Sequence, residues 1–131
     1  MPPYNEEVIE RWVSNLPNLI FLVAIYGDKT VGHAHIYKFP HLQRKGTSDL
    51  IIYLHQDFQN VGLGTAMLGE LMDVAKKERL HRIGLHVIAD NGRAVHVYEK
   101  AGFKVEGVMK DAYLGEDGKY HDELVMGLLL G

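Results

Sequence analysis

An apolar run, Leu50-Ile51-Ile52-Tyr53-Leu54, leads into the glycine-bearing stretch Gln59-Asn60-Val61-Gly62-Leu63-Gly64-Thr65, and an amphipathic pattern leads out of it. The first run has the β-branched and aromatic content of a buried strand, whereas Leu68, Leu71, Met72 and Ala75 recur at helical spacing to a helix end near Arg79. Arg82 to Ile88 then reads as a second buried strand. Together these make a βαβ unit, which requires parallel strands and a right-handed crossover. Two glycines separated by one residue let the backbone turn sharply, and the first amides of a helix have no partner within it. Such a turn can cradle a phosphate. It can equally be an ordinary strand-to-helix connection, and the heptapeptide alone leaves both readings open.

Around this unit the chain punctuates itself clearly. Asn5 can cap a helix over residues 5 to 15, in which Val8, Ile9, Trp12, Val13 and Leu16 form one apolar stripe that stops at Pro17. Ile20 to Tyr26 and Val31 to Phe39 read as strands joined by the short turn Gly27-Asp28-Lys29-Thr30, and a loop from Pro40 to Ser48 follows. Asp90 or Asn91 can cap a short helix carrying Ala94, Val95, Val97, Tyr98 and Ala101, with Gly102 at the position of a left-handed C-terminal cap. Phe103 to Val108 and Leu124 to Leu130 close the sheet, linked by the polar, glycine-rich stretch Asp111 to Asp122. The expected fold is a mixed α/β layer structure of the α+β kind, with residues 1–131 forming a single domain.

Composition excludes several function classes. Without cysteine there are no disulfides, thiolate metal sites or cysteine nucleophiles. With 14 Lys+Arg against 17 Asp+Glu, the net charge of -3 offers no footprint for nucleic acid. No apolar segment is long enough to span a bilayer and the first residues do not read as a signal peptide, so neither membrane nor secretion is expected, and the cytoplasm is the expected location. His33 and His35 share a strand face, but no third ligand at suitable spacing follows, and no metal is expected.

A second constellation resolves the ambiguity of the first. In Asn91-Gly92-Arg93-Ala94-Val95-His96-Val97-Tyr98-Glu99-Lys100-Ala101-Gly102-Phe103, Asn91 and Tyr98 lie about two helical turns apart and face the same side. They follow the second parallel strand, so both glycine-bearing turns open at the carboxyl end of the sheet. With Gln59, Gly62 and Gly64 in one motif and Asn91, Ala94, Tyr98, Gly102 and Phe103 in the other, the chain resembles the GCN5-related N-acetyltransferase (GNAT) superfamily. The resemblance covers roughly residues 20 to 130.

This resemblance implies a mostly antiparallel sheet with a central, splayed parallel pair flanked by helices. It also implies acetyl-CoA as cosubstrate, no metal, and direct acetyl transfer through a tetrahedral intermediate to a primary amine of a small molecule or peptide. The backbone of Ile52, Tyr53 and Leu54 would pair with the pantetheine arm, and amides of Asn60, Val61, Gly62, Leu63, Gly64 and Thr65 would bind the pyrophosphate, with Gln59 at the turn. Asn91 would bond the cofactor or an ordered water, and Tyr98 would stand beside the thioester sulfur as general acid. An amine acceptor is mostly charged at neutral pH, so a base is expected. Asp49 and His86 stand where relatives carry a glutamate. Each also has a plainer reading, Asp49 as a strand-start residue and His86 as a packing residue on a buried strand.

Two further expectations follow. Tyr113 to Asp122 resembles the hairpin before the last strand in acetyltransferases of small amines, though a plain polar hairpin would look the same. The usual first strand and helix of the family find no room before Asn5, so Ile20 to Tyr26 is expected as an exposed sheet edge that a homodimer would cover. A non-catalytic acyl-CoA-binding or regulatory module is the alternative function, since loss of the acceptor pocket need not disturb the cradle.

Overall fold

The computed structural model describes residues 9–55, 58 and 62–131. Its elements are β1 (Glu10–Leu16), β2 (Leu19–Tyr26), β3 (Lys29–Lys38), β4 (Thr47–Leu54), α1 (Leu63–Lys77), β5 (Arg82–Ile88), α2 (Gly92–Lys100), β6 (Lys104–Leu114) and β7 (Tyr120–Leu129). The strands form one seven-stranded sheet in the order β1-β2-β3-β4-β5-β7-β6. Neighbours are antiparallel except β4 and β5. The mixed sheet with a central parallel pair is the architecture expected from the βαβ unit. Among the described residues no helix is long and apolar enough to cross a membrane.

The two crossovers, β4–α1–β5 and β5–α2–β6, step across the sheet in the same direction, so right-handedness places both helices on one face. Packing agrees. A Cβ built on Gly32 would lie 3.3 Å from the Met67 sulfur of α1, and one on Gly102, just beyond α2, 3.2 Å from Leu128 of β7. Alternation along the strands turns Leu22, Ile36, Leu50, Ile83, Leu85 and Met126 toward the helices, where Leu63, Met67, Leu68, Leu71 and Phe103 meet them in a continuous buried core. Each such side chain stabilises the fold by roughly 1.5–3 kcal/mol of transfer free energy. The opposite face carries no helix among the described residues. There Trp12, Val23, His33 and Tyr53 stand opposite one another across four strands, with the His33 and Tyr53 rings stacked at 5.4 Å.

Three expectations are corrected. The stripe from Ile9 to Leu16 is not helical: Glu10–Leu16 is a strand hydrogen-bonded in antiparallel register to β2. Asn5 and residues 6 to 8 lie outside the described residues. Trp12 and Leu16 stay more than half exposed, so helix formation there had no buried stripe to stabilise it, whereas pairing satisfies the free edge of β2. Consequently Ile20 to Tyr26 is an inner strand, and among the described residues β1 and β6 form the edges of the sheet. Lastly, the stretch Asp111 to Asp122 is mostly ladder, with a register shift between Met109 and Tyr113 and a short turn between Leu114 and Tyr120. Asp111 sits at that shift with φ +49, a conformation local composition alone does not announce.

Candidate active site

The site begins where β4 and β5 part company. Their parallel register holds only for Thr47–Arg82, Ser48–Ile83 and Asp49–Gly84, while β4 continues to Leu54 along β3 and β5 continues to Ile88 paired with β7. A cavity of about 230 Å3 fills the opening, lined by Asp49, Leu50, Ile51, Ile52, Leu85, His86 and Tyr98. By strand alternation Leu50, Ile52 and Leu85 belong to the helix face, whereas Asp49, Ile51 and His86 belong to the other. The opening is therefore a passage through the sheet.

On the helix face it adjoins a larger cavity of about 500 Å3, bordered by Ile52, Leu54, Gly62, Gly64, Thr65, Asn91 and Tyr98 among others. The N-terminus of α1 forms one wall. Gly62 takes φ +81 and ψ 2, a left-handed turn that only glycine adopts without strain, and no side chain caps the helix. Ala66 makes the first intrahelical bond, to the Gly62 carbonyl, so the amides of Leu63, Gly64 and Thr65 have no acceptor within the helix. Leu63 offers that amide alone, because its side chain is fully buried in the core. Gly64 serves close packing, since a Cβ there would meet a Leu54 methyl at 3.2 Å. The amides at the start of α1, the positive end of that helix and the flank of β4 at Ile52 and Tyr53, beyond its pairing with β5, fit a diphosphate with an extended amide arm. Gln59, Asn60 and Val61 lie outside the described residues.

The N-terminus of α2 forms the facing wall. Asn91 caps it, its side-chain oxygen accepting from the Ala94 amide at 3.2 Å, and Gly102 ends the helix region at φ +104. Asn91 and Tyr98 both border the large cavity, and Tyr98 borders the passage as well. Its ring packs edge-on against buried Phe103, with centroids 5.9 Å apart. Burial pushes the Tyr98 phenol above its ordinary value near 10.0, so it enters neutral solution as a proton donor.

A family model described as Acetyltransferase (GNAT) family matches residues 1–103 of this sequence. The chain belongs to the GNAT family. Its cosubstrate is accordingly acetyl-CoA, and its chemistry is acetyl transfer to an amine. Among GNAT relatives, the L-amino acid N-acetyltransferase AaaT of Escherichia coli is 29% identical over 127 residues, covering 96% of this chain and 78% of the relative. The [ribosomal protein bS18]-alanine N-acetyltransferase of Escherichia coli is 34% identical over 77 residues, which is 59% of this chain and about half, 51%, of that protein's length. A GNAT acetyltransferase of known structure from Streptococcus pneumoniae superimposes with a TM-score of 0.80 at 33% identity, covering 86% of this chain and 68% of that one.

Beyond the passage, the open face of this GNAT sheet carries charge. Gly84 and Gly127 stand opposite each other on β5 and β7, and the absence of side chains there makes a floor. A Cβ on Gly127 would lie 2.5 Å from Arg82 Nη1, and one on Gly84 would lie 3.1 Å from Asp49 Oδ1. Arg82 is paired to Glu106 through both guanidinium nitrogens, one at 2.6 Å, and that hydrogen bonding holds the Glu106 carboxyl below its ordinary range. Asp49 adds a second, more distant negative charge to the same guanidinium. Two carboxylates thus meet one guanidinium, and Lys104 stands opposite Gly127 on the same face. His86, for which the sequence left a base and a packing residue open, is exposed and borders both cavities.

Arg93 borders the large cavity one residue into α2 and escaped the sequence reading. A cation in the first turn of a helix opposes the helix dipole, and that mismatch was its signal. His121 and Arg82 escaped too, because their partners Asp90 and Glu106 lie 31 and 24 residues away.

Proposed function

We propose that this GNAT domain acetylates the primary amine of a small, positively charged acceptor that enters from the open sheet face, while acetyl-CoA occupies the helix face. The observation that carries this is the passage itself: Tyr98 borders it from the helix side, and Asp49 and His86 from the other. Amides of Gly62, Leu63, Gly64 and Thr65, with Arg93, hold the phosphates, and the β4 backbone at Ile52, Tyr53 and Leu54 receives the pantetheine arm. Asn91 keeps its capping bond and turns the rest of its amide to the arm or to water.

His86 takes a proton from the ammonium, directly or through water, and the freed amine attacks the thioester carbon. The new C–N bond forms, the adduct nitrogen gives up its surplus proton to water, the C–S bond breaks as the tetrahedral adduct collapses, and Tyr98 gives its proton to the departing sulfur and regains one from solvent. Asp49, at the closed end of the passage and over the Gly84 floor, attracts the cationic acceptor rather than taking its proton. The relatives named for L-amino acids and for an alanine of ribosomal protein bS18 differ in the amine they are named for. The carboxylates of Asp49 and Glu106 at that mouth favour an acceptor whose own charge is positive.

Thiol release measured with a polyamine, neutral α-amino acids and a peptide N-terminus tests this reading. Turnover should be highest with the polyamine. Preference for the zwitterionic amino acids would overturn the charge assignment, and thermal stabilisation by acetyl-CoA without turnover on any amine would favour the non-catalytic acyl-CoA-binding module.

A further inference from the structure

His121 is the second residue of β7, at the far end of the β6–β7 hairpin from the core, and both of its ring nitrogens meet carboxylates. Nδ1 lies 2.9 Å from Asp90 Oδ2, and Nε2 lies 3.0 and 3.1 Å from the two oxygens of Asp117. A neutral imidazole has one N–H, and an ionised carboxylate only accepts. Both contacts are hydrogen bonds at once only when the ring is the doubly protonated imidazolium. The space for it is built in, since a Cβ on Gly115 would come within 2.9 Å of two ring atoms and 2.7 Å of Asp117 Oδ1. Asp117 is itself fixed by the Lys119 amide at 3.0 Å.

Asp90 belongs to the link between β5 and α2. That link is braced by Ala89 donating to the Asp122 carbonyl and by Asn91 donating to the Ile88 carbonyl, each at 2.9 Å. Ile88 and Asn91 border the large cavity. We infer that His121 is a positioning residue: as an imidazolium bridging Asp117 and Asp90, it fastens the hairpin tip to the β5–α2 link and so fixes the Asn91 wall of the acetyl-CoA cavity. The inference rests on acetyl-CoA occupying that cavity.

The charges around the ring agree in sign. Asp117 first and Asp90 second raise the His121 pKa above its ordinary value, and Asp122, the next residue, adds negative charge while bonded to the Asp111 amide and to Lys110. Lys119, at the base of the turn, is the nearest cation in the hairpin sequence. A raised imidazole pKa means that the clamp is complete below the ordinary histidine value and is lost as pH rises through the raised one.

The test is acetyl-CoA affinity by calorimetry between about pH 7 and 9, a range above the ordinary histidine pKa, on the intact protein, His121→Asn and Asp117→Asn. Ionisation of the ligand is common to all three proteins and cancels in the comparison. The intact protein should lose affinity several-fold more steeply than His121→Asn across that range, with Asp117→Asn between them, since each unit of pKa displacement on binding is worth a tenfold change. Parallel curves for all three proteins would overturn the clamp while leaving the cavity assignment intact. Absence of binding in every protein at every pH would overturn the cavity assignment, and the clamp with it.

Discussion

The two flanks of β5 differ in what they are paired with. On one side β7 accompanies it from Arg82 to Ile88 without interruption, and on the other β4 accompanies it only as far as Gly84. The continuous flank carries the core: Leu85 faces Met126, and both are almost wholly buried. The interrupted flank carries the passage. In the function proposed here, the β4 backbone at Ile52 and Tyr53 beyond the parallel pairing takes a ligand strand in place of a neighbouring one.

The sharpest way to separate the flanks is to alter one group on each. Tyr98→Phe, on the interrupted flank, should lower kcat by about 100-fold or more while sparing acetyl-CoA affinity, because only the transferable proton is removed. Unchanged turnover would take the phenol out of the reaction. Met126→Ala, on the continuous flank, should destabilise the fold by about 2–5 kcal/mol through loss of a fully buried side chain, read as a lower unfolding midpoint in denaturant. Losses of activity in that variant should track the folded fraction rather than the chemistry. Gly62→Ala should have the mildest effect, since its Cβ meets nothing within 4 Å. The strain of φ +81 alone should cost about 1–2 kcal/mol, accompanied by weaker acetyl-CoA binding. A melting curve that does not move would show that the turn relaxes elsewhere.

What the sequence made legible is local. The strand of the 50s, the helix from Leu63 and the strand at Arg82 announce themselves through apolar runs and helical spacing within a single βαβ unit. Asn91 as a cap and Gly102 as a left-handed terminus were equally readable, because both depend on near neighbours. The misreadings are non-local. Residues 10 to 16 have the spacing of an amphipathic helix, and only the unsatisfied edge of β2 decides in favour of a strand. His86, left open by the sequence between base and packing residue, owes its exposure to register against β7 and to the end of pairing with β4. Strand β6 runs on through Asp111 because β7 receives it, with Asp122 accepting from the Asp111 amide. No window of adjacent residues contains that information.

The passage has a mouth on each side of the sheet, and this bears on the order of events. In the proposed arrangement donor and acceptor need not share a doorway, so neither must wait for the other to arrive or for the other's remnant to depart. Both can be present together when the acyl group moves, with no stage at which the enzyme itself carries the acetyl unit.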